Sequence, residues 1–199
     1  MLDSIKEFQI KVERSYRKQL FAFILFSLCL IPAVHADSPR DPYQYFFNET
    51  WGDFQEELQN SRDQNKKAVL LFFEMDECPF CQFMKETILN QPKVQAYFRQ
   101  HFLNFSVDIE GDVEIADFKG KPMTQKHFAN KLNRVRATPV FAFYDLDGKK
   151  IARFTGRTSG VDEFMLLGQY VVDKEFEKMS FLKYKRMMKA VNKDKARPS

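Results

Sequence analysis

The feature that most constrains the fold of this chain is a short apolar run that leads directly into two closely spaced cysteines. Residues 68–74 read AVLLFFE, and residues 77–82 read ECPFCQ. A continuous apolar run of this length is typical of a strand that is buried on both faces. Apolar residues then recur at helical spacing, which predicts a helix over residues 78–89. The segment therefore predicts a buried strand followed by a helix that begins at the first cysteine.

The rest of the chain alternates helical and strand patterns. Residues 37–45 are expected to be extended. A helix with Trp51 on its apolar face is expected over residues 51–65, and a polar loop over residues 109–123. The further elements expected are helices at 92–101, 124–132 and 161–172 and strands at 103–108, 140–144 and 150–155. The sequence DLDG at residues 145–148 predicts a hairpin between the last two strands. This order predicts a parallel sheet core with an antiparallel hairpin at its edge.

The N-terminal segment is typical of a secretion signal. Residues 20–34 read LFAFILFSLCLIPAV and follow a segment rich in lysine and arginine. Val34 and Ala36 supply the small residues that signal peptidase requires, and the run is shorter than the about 20 residues of a transmembrane helix. We therefore expect a cleaved signal peptide over residues 1–36, with a retained membrane anchor as the alternative. Cys29 lies inside this segment, and either outcome places the remaining domain outside the cytoplasm.

Composition and charge exclude several classes of protein. The chain is 44% hydrophobic, so it can form a packed core, and its net charge of +4 is too small to argue for a nucleic-acid partner. Three cysteines are too few for a scaffold held together by disulfides. The sequence also contains no glycine-rich phosphate-binding loop.

The C-terminal segment differs from the rest in charge. Residues 173–199 carry nine lysines and arginines against four acidic residues, and residues 180–191 predict an amphipathic helix. The apolar contacts expected of this helix are Phe181, Leu182, Met188 and Val191. We expect a surface helix with a solvated basic end, the alternative being peripheral contact with an anionic membrane or an acidic partner. The chain is thus expected to divide into a signal peptide (1–36), a lead-in and helix (37–66), a main domain (67–172) and a basic helix and tail (173–199).

The two cysteines at the start of a helix favour a redox pair. Free backbone N–H groups and the positive end of the helix dipole favour the thiolate of Cys78. Pro79 fits the first helical turn, where its missing N–H costs nothing. Cys81, three residues later, can attack a mixed disulfide formed at Cys78. We therefore expect Cys78 to be the nucleophile and Cys81 the resolving thiol.

Other interpretations of the two cysteines are weaker. A structural disulfide over so short a loop removes little entropy from the unfolded chain. A zinc site needs four ligands, and the spacing of His101 and His127 does not suit one, so we expect these histidines at the surface or in caps. An inactive relic of a redox pair is a further alternative.

Two segments carry a resemblance to a known family: the strand–CPFC–helix segment, and residues 137–140, which read ATPV and lead into a strand. Together these segments resemble the thioredoxin superfamily, and over residues 47–184 more closely the periplasmic SoxW-like thioredoxins. The resemblance implies an α/β thioredoxin-like fold with a mixed sheet of four to five strands flanked by helices. It also implies that Pro139 is cis and faces the cysteines, where it takes part in catalysis. The remaining substrate-groove residues expected are Pro79, Phe80, Thr138 and Val140.

The sequence departs from ordinary thioredoxins at two places. The family has a buried aspartate six residues before the first cysteine, and this position is Phe72. Glu74 is the candidate replacement as a catalytic proton acceptor, the alternative being an exposed carboxylate at the end of a strand. The dipeptide between the cysteines is Pro-Phe rather than Gly-Pro, which is nearer to glutaredoxins and Dsb-type oxidants.

The charges near the first cysteine favour a reducing pair. Glu74, Asp76 and Glu77 precede Cys78, and the nearest following cation is Lys85. Nearby negative charge disfavours a thiolate, and a less stable thiolate makes the reduced form less favoured. We therefore expect an intermediate or low reduction potential.

The expected function is that of a periplasmic thiol–disulfide oxidoreductase that works as a reductase and needs no cofactor or metal. The expected substrates are oxidised periplasmic proteins. The resemblance implies sulfur-oxidation carrier proteins among them and a CcdA-like membrane protein as the thiol electron donor. One alternative is an oxidant or isomerase of folding proteins, which the Pro-Phe dipeptide favours. Another is a non-enzymatic module whose thiolates bind copper(I) or sense the redox state.

Overall fold

A computed structural model describes residues 38–195 of the chain. The predicted signal peptide or anchor, including Cys29, lies outside the described residues. Within residues 38–195, no helix is long and apolar enough to cross a membrane.

Helices and strands alternate along the described chain. The helices are α1 (Pro42–Tyr45), α2 (Phe54–Asp63), α3 (Pro79–Met84), α4 (Pro92–His101), α5 (Gln125–His127), α6 (Val161–Val172) and α7 (Phe181–Lys195). The strands are β1 (Ala68–Glu74), β2 (Phe102–Asp108), β3 (Glu114–Ala116), β4 (Pro122–Thr124), β5 (Val140–Tyr144) and β6 (Lys150–Thr155). Helices α3 and α5 each continue into a π-helical turn, at Lys85–Leu89 and Phe128–Leu132, and a 3-10 turn covers Glu175–Glu177.

Four of these strands form the central sheet in the order β2-β1-β5-β6. Strand β1 pairs in parallel with β2 and antiparallel with β5, which in turn pairs antiparallel with β6. The β5–β6 turn is closed by the Asp145 carboxylate, which accepts hydrogen bonds from the backbone N–H groups of Asp147 and Lys149. The α/β class, the mixed sheet and the hairpin at its edge are therefore as the sequence predicts.

The core lies on both faces of this sheet. Every residue of β1 is buried, because helices cover the sheet on each side. Leu70 and Phe72 face the apolar cluster that contains Cys78 and Cys81, whereas the alternate residues of β1 face a second cluster. Among residues 38–195, eleven of the twelve largest fully buried side chains are phenylalanines, so phenylalanine supplies most of the core volume. The cysteines thus lie against the core on one face of the sheet.

The start of the domain differs from the prediction in two places. Residues 42–45 form a short helix rather than an extended segment, because the Asp41 carboxylate caps it by accepting from the Tyr43 N–H. Trp51 was expected on the apolar face of the next helix, and this is wrong: its side chain is 99% exposed. Helix α2 begins only at Phe54, because the Asp53 side chain accepts from the N–H groups of the first turn.

The segment expected to be a polar loop contains the two-stranded sheet of β3 and β4. The Asp117 carboxylate closes its turn by accepting from the N–H groups of Lys119 and Lys121. Strands of three residues are too short to show a period-2 pattern, so the sequence does not reveal them.

The predicted C-terminal helix is present, but its contacts differ. Phe181 and Met188 pack against the core as expected, and Tyr184 is buried beside them. Leu182 and Val191 are exposed, so the expectation that they form apolar contacts is wrong.

Candidate active site

The two cysteines lie at the start of α3. Cys78 is the N-cap residue, and the backbone N–H of Cys81 donates a hydrogen bond to the Cys78 Sγ at 3.0 Å. A disulfide joins the two, with their Cα atoms 5.2 Å apart. Cys78 is 6% exposed and Cys81 is 1% exposed. An N–H aimed at Sγ stabilises a thiolate on Cys78, which is also the more accessible sulfur of the pair.

The loop before β5 contains the cis peptide that the resemblance implies, between Thr138 and Pro139. The Pro139 carbonyl accepts a hydrogen bond of 2.8 Å from the N–H of Gly156, so the end of β6 holds this loop in place. Pro139 is buried and Thr138 half-buried. The Val140 side chain is fully buried in the core cluster on the opposite face of the sheet from the cysteines. The packing of Pro139 against the cysteines, and the groove roles of these residues, stay predictions.

The dipeptide between the cysteines is at the surface. Pro79 occupies the first turn of α3, and Phe80 is 54% exposed, as expected. The guanidinium carbon of Arg157 lies 5.6 Å from the centroid of the Phe80 ring and 4.8 Å from that of Phe83. Sequence reasoning missed Arg157, because the loop after β6 carries no local signal of its contact with α3.

Glu74 is the last residue of β1 and is buried. Its Oε2 lies 2.7 Å from the Nζ of Lys85, and its Oε1 accepts a hydrogen bond of 3.1 Å from the Tyr43 hydroxyl. The Ser106 hydroxyl also donates to Oε1. Glu74 is therefore not the exposed carboxylate of the alternative interpretation. Its role in proton transfer stays a prediction.

The strand period places this carboxylate on the same sheet face as the cysteines. Side chains two residues apart on a strand point to the same face, so Glu74 follows Phe72 toward the cluster that contains Cys78 and Cys81. Lys85 lies four residues after Cys81 and therefore on the same side of the helical segment. Phe72 itself is fully buried, and its ring centroid lies 4.9 Å from that of Phe141. The position of the thioredoxin aspartate is thus apolar here.

Two partners of Glu74 have shifted pKa values. Burial lowers the pKa of Lys85, but its hydrogen bonds to Glu74 and Tyr43 outweigh this effect and raise it above 10.5. Burial is the main reason that the pKa of Tyr43 is raised above 10.0. Lys85 is therefore a cation and Tyr43 a neutral hydrogen-bond donor at neutral pH.

The two histidines lie away from these contacts. The His101 ring is half-buried and packs 4.6 Å from the Tyr97 ring, and burial together with Lys67 and Lys66 lowers its pKa. His127 is exposed. Among residues 38–195, no group of three or more His, Cys, Asp and Glu side chains is placed to hold a metal ion.

Comparison with known proteins places the fold. A thioredoxin-fold protein from Helicobacter pylori is 22% identical over 63% of this chain and 82% of its own, with a TM-score of 0.50. The DsbH oxidoreductase is 21% identical over 71% of this chain and 94% of its own, with a TM-score of 0.51. A comparison with curated proteins gave no match. The family model of the thioredoxin-like domain matches residues 54–171, more than half of the sequence. The chain therefore belongs to the thioredoxin-like family.

Proposed function

We propose that this protein is a thiol–disulfide oxidoreductase that reduces oxidised protein thiols in the periplasm. The observation that carries the proposal is the hydrogen bond from the Cys81 N–H to the Cys78 Sγ within the largely buried Cys78–Cys81 pair. It stabilises a thiolate on the sulfur that a substrate can reach. The thioredoxin-like fold supports the same activity.

The reaction proceeds by two thiol–disulfide exchanges. The Cys78 thiolate attacks one sulfur of the substrate disulfide, and the other substrate sulfur leaves as a thiolate. Cys81 then loses its proton and attacks the Cys78 Sγ, which releases the second substrate thiol and forms the Cys78–Cys81 disulfide. Two electrons have passed to the substrate, and an external dithiol donor restores the reduced pair by the reverse steps.

Glu74 is the base that we assign to Cys81. The carboxylate is buried on the sheet face that carries the cysteines, and the ion pair with Lys85 at 2.7 Å orients it. Tyr43 and Ser106 both donate to Oε1, so Oε2 keeps one acceptor position besides the one that Lys85 uses. A carboxylate held in this way can accept the proton that Cys81 loses.

The reducing direction is supported by the charges on one side of Cys78. Asp76 and Glu77 are exposed immediately before it and disfavour its thiolate. Arg157 acts in the opposite sense, because a cation over the Phe80 ring favours a nearby thiolate. Arg157 is thus the observation that favours the second candidate function, an oxidant of folding proteins.

The sequence supports a cellular setting in the periplasm. The signal-like segment at residues 1–36 and the resemblance to SoxW-like thioredoxins support a periplasmic location. The same resemblance supports oxidised periplasmic proteins as substrates and a CcdA-like membrane protein as the electron donor.

The deciding experiment is the equilibrium reduction potential of the Cys78–Cys81 pair against glutathione. The reduction potential of thioredoxin is about −270 mV and that of DsbA about −120 mV, so this measurement separates a reductase from an oxidant. A potential below about −220 mV supports the reductase. A potential above about −150 mV contradicts it and favours the oxidant. Reduction of insulin, with Cys78→Ser as the inactive control, tests turnover independently.

A further inference from the structure

The segment that carries Arg157 is fixed between the two elements of the active site. On one side of it, the Gly156 N–H donates to the carbonyl of Pro139 at 2.8 Å. On the other side, Thr158 is buried, and its hydroxyl lies 3.7 Å from the Sδ of Met84 in α3. The backbone of Arg157 is therefore held at the edge of the site rather than on a free loop.

The side chain of Arg157 extends over the active-site helix. Its guanidinium carbon lies 5.6 Å from the Phe80 ring centroid and 4.8 Å from the Phe83 ring centroid, within the range of cation–π contact. Phe80 stands between the two cysteines in the sequence and is itself exposed. A substrate that brings a disulfide to Cys78 must therefore pass close to this cation.

The guanidinium has unused capacity for hydrogen bonds. Arg157 is exposed, and within residues 38–195 it takes part in none of the ion pairs. A guanidinium carries five N–H donors in a plane, and two of them match the two oxygens of a carboxylate. Contact with the Phe80 and Phe83 rings restricts the side chain, so less conformational freedom is lost when a carboxylate binds.

We propose that Arg157 selects disulfide substrates that carry an aspartate or glutamate beside the reacting cysteine. This inference rests on the proposed function, because it concerns the same site. Asp76 and Glu77 repel a carboxylate on their own side of Cys78, so the preference depends on which side of the substrate cysteine carries the acid. The substrate class is thus a protein disulfide in an acidic segment that faces Phe80.

The test uses peptides with one cysteine activated as a 2-thiopyridyl disulfide and with Glu, Gln or Lys directly before or after it. In a reduced Cys81→Ser chain, the Cys78 thiolate attacks the peptide sulfur and the S–S bond to the pyridyl group breaks. Pyridine-2-thiolate leaves and takes up a proton to give 2-thiopyridone, and the peptide stays joined to Cys78 by a disulfide. Release of 2-thiopyridone gives the rate of this one step. The measurement requires neither turnover nor a particular direction of electron flow.

We expect the Cys81→Ser chain to react about three- to fivefold faster with the Glu peptide than with the Gln peptide at one of the two positions, the size of an exposed ion pair. Adding Arg157→Gln removes this preference, and adding Arg157→Glu reverses it in favour of the Lys peptide, which loss of folding cannot do. The matched control is Arg186→Gln, an equal change of charge at an exposed residue of α7, which leaves the preference unchanged.

Three results would overturn the inference: no preference for Glu at either position, a preference that survives Arg157→Gln, or an equal loss in the Arg186→Gln control. Failure of the proposed function is seen separately. It appears as a high reduction potential of the unmodified Cys78–Cys81 pair, which does not alter the selectivity of the single exchange step.

Discussion

The ammonium group of Lys85 lies 2.7 Å from the carboxylate of Glu74, in a position where both side chains are largely buried. Glu74 ends β1, an inner strand of the sheet, and Lys85 directly follows the cysteine helix α3. The ion pair therefore connects the strand before the cysteines to the helix after them. Tyr43 bridges the two charged groups, since its hydroxyl donates to Glu74 and accepts from Lys85 at 2.9 Å.

The first prediction concerns Glu74→Gln. The amide keeps the shape of the side chain but cannot accept a proton, so attack by Cys81 on the mixed disulfide becomes slower by about 10²-fold, the lower end of the range for a general base. The first step, attack by Cys78, changes little. Stopped-flow measurement of a reduced chain mixed with a thiopyridyl peptide separates the two steps, because thiopyridone is released in the first and peptide thiol in the second.

The matched control for this prediction is Glu86→Gln. Glu86 is an exposed carboxylate of the same helical segment and accepts from Gln82 rather than from Lys85. Its substitution leaves both steps unchanged. Equal slowing of the second step in the two variants would show that Glu74 is not the base.

A second prediction separates the two cysteines. Cys81→Ser, mixed with the same activated peptide, accumulates a stable covalent adduct, because the resolving thiol is missing. Cys78→Ser forms this adduct at least about 100-fold more slowly, because Cys81 is almost fully buried and lacks the N–H donor that Cys78 has. Intact-mass spectrometry over time measures both. Comparable adduct formation by Cys78→Ser would reverse the assignment of nucleophile and resolving thiol.

Much of this site is local in the sequence and could be predicted. The apolar run of β1 and the cysteines that follow are adjacent, so strand, N-cap and helix follow from one short segment. Helix α4 begins at Pro92 as predicted, because proline fits the first helical turn. The DLDG turn likewise gives the β5–β6 hairpin.

The rest depends on contacts between segments that are distant in the chain. Arg157 reaches Phe80 only because β6 ends beside the cis peptide, and Tyr43 reaches Glu74 only because the lead-in packs against the sheet face. No spacing rule reveals such pairs. Trp51 shows the opposite case, in which a spacing rule predicts a contact that does not form. Its helical spacing from Phe54 predicts a place on the apolar face of α2, but Asp53 caps this helix and Trp51 therefore precedes it.

A third prediction concerns acid stability and rests on Glu163 in α6. Its Oε1 lies 2.6 Å from the Nζ of Lys185 in α7, and Ser159 donates to its other oxygen. Burial raises the pKa of Glu163, but these hydrogen bonds outweigh burial and lower it from 4.5 to about 2. Because the pKa of Glu163 is lower in the folded than in the unfolded chain, its carboxylate stabilises the fold above pH 4.5. This stabilisation is lost as the pH falls toward 2.

Urea denaturation of the wild type and Glu163→Gln at several pH values measures this contribution. The wild type is the more stable at neutral pH, and the difference between the two disappears as the pH falls from 4.5 to about 2. Asp162→Asn is the control, because Asp162 is exposed and lies 3.9 Å from Lys93, which is also exposed. A difference that stays constant over this range would contradict the role of the Glu163 carboxylate.

The last prediction concerns the packing of α6 against α4 at Gly168. Alanine is the better helix former by about 1 kcal/mol, but a Cβ at Gly168 would lie 2.9 Å from Tyr97 Cε1 and 3.0 Å from Phe98 Cζ. Phe98 is fully buried, so overpacking of about 1–3 kcal/mol outweighs the helical gain. We therefore expect Gly168→Ala to lower the free energy of unfolding by about 1 kcal/mol in urea denaturation. Gly160→Ala is the control without a clash, because a Cβ there meets no atom within 4 Å; since Gly160 is the N-cap of α6, its expected cost is only that of a less favoured cap residue. Stabilisation by Gly168→Ala would mean that the two helices can separate without loss of core packing.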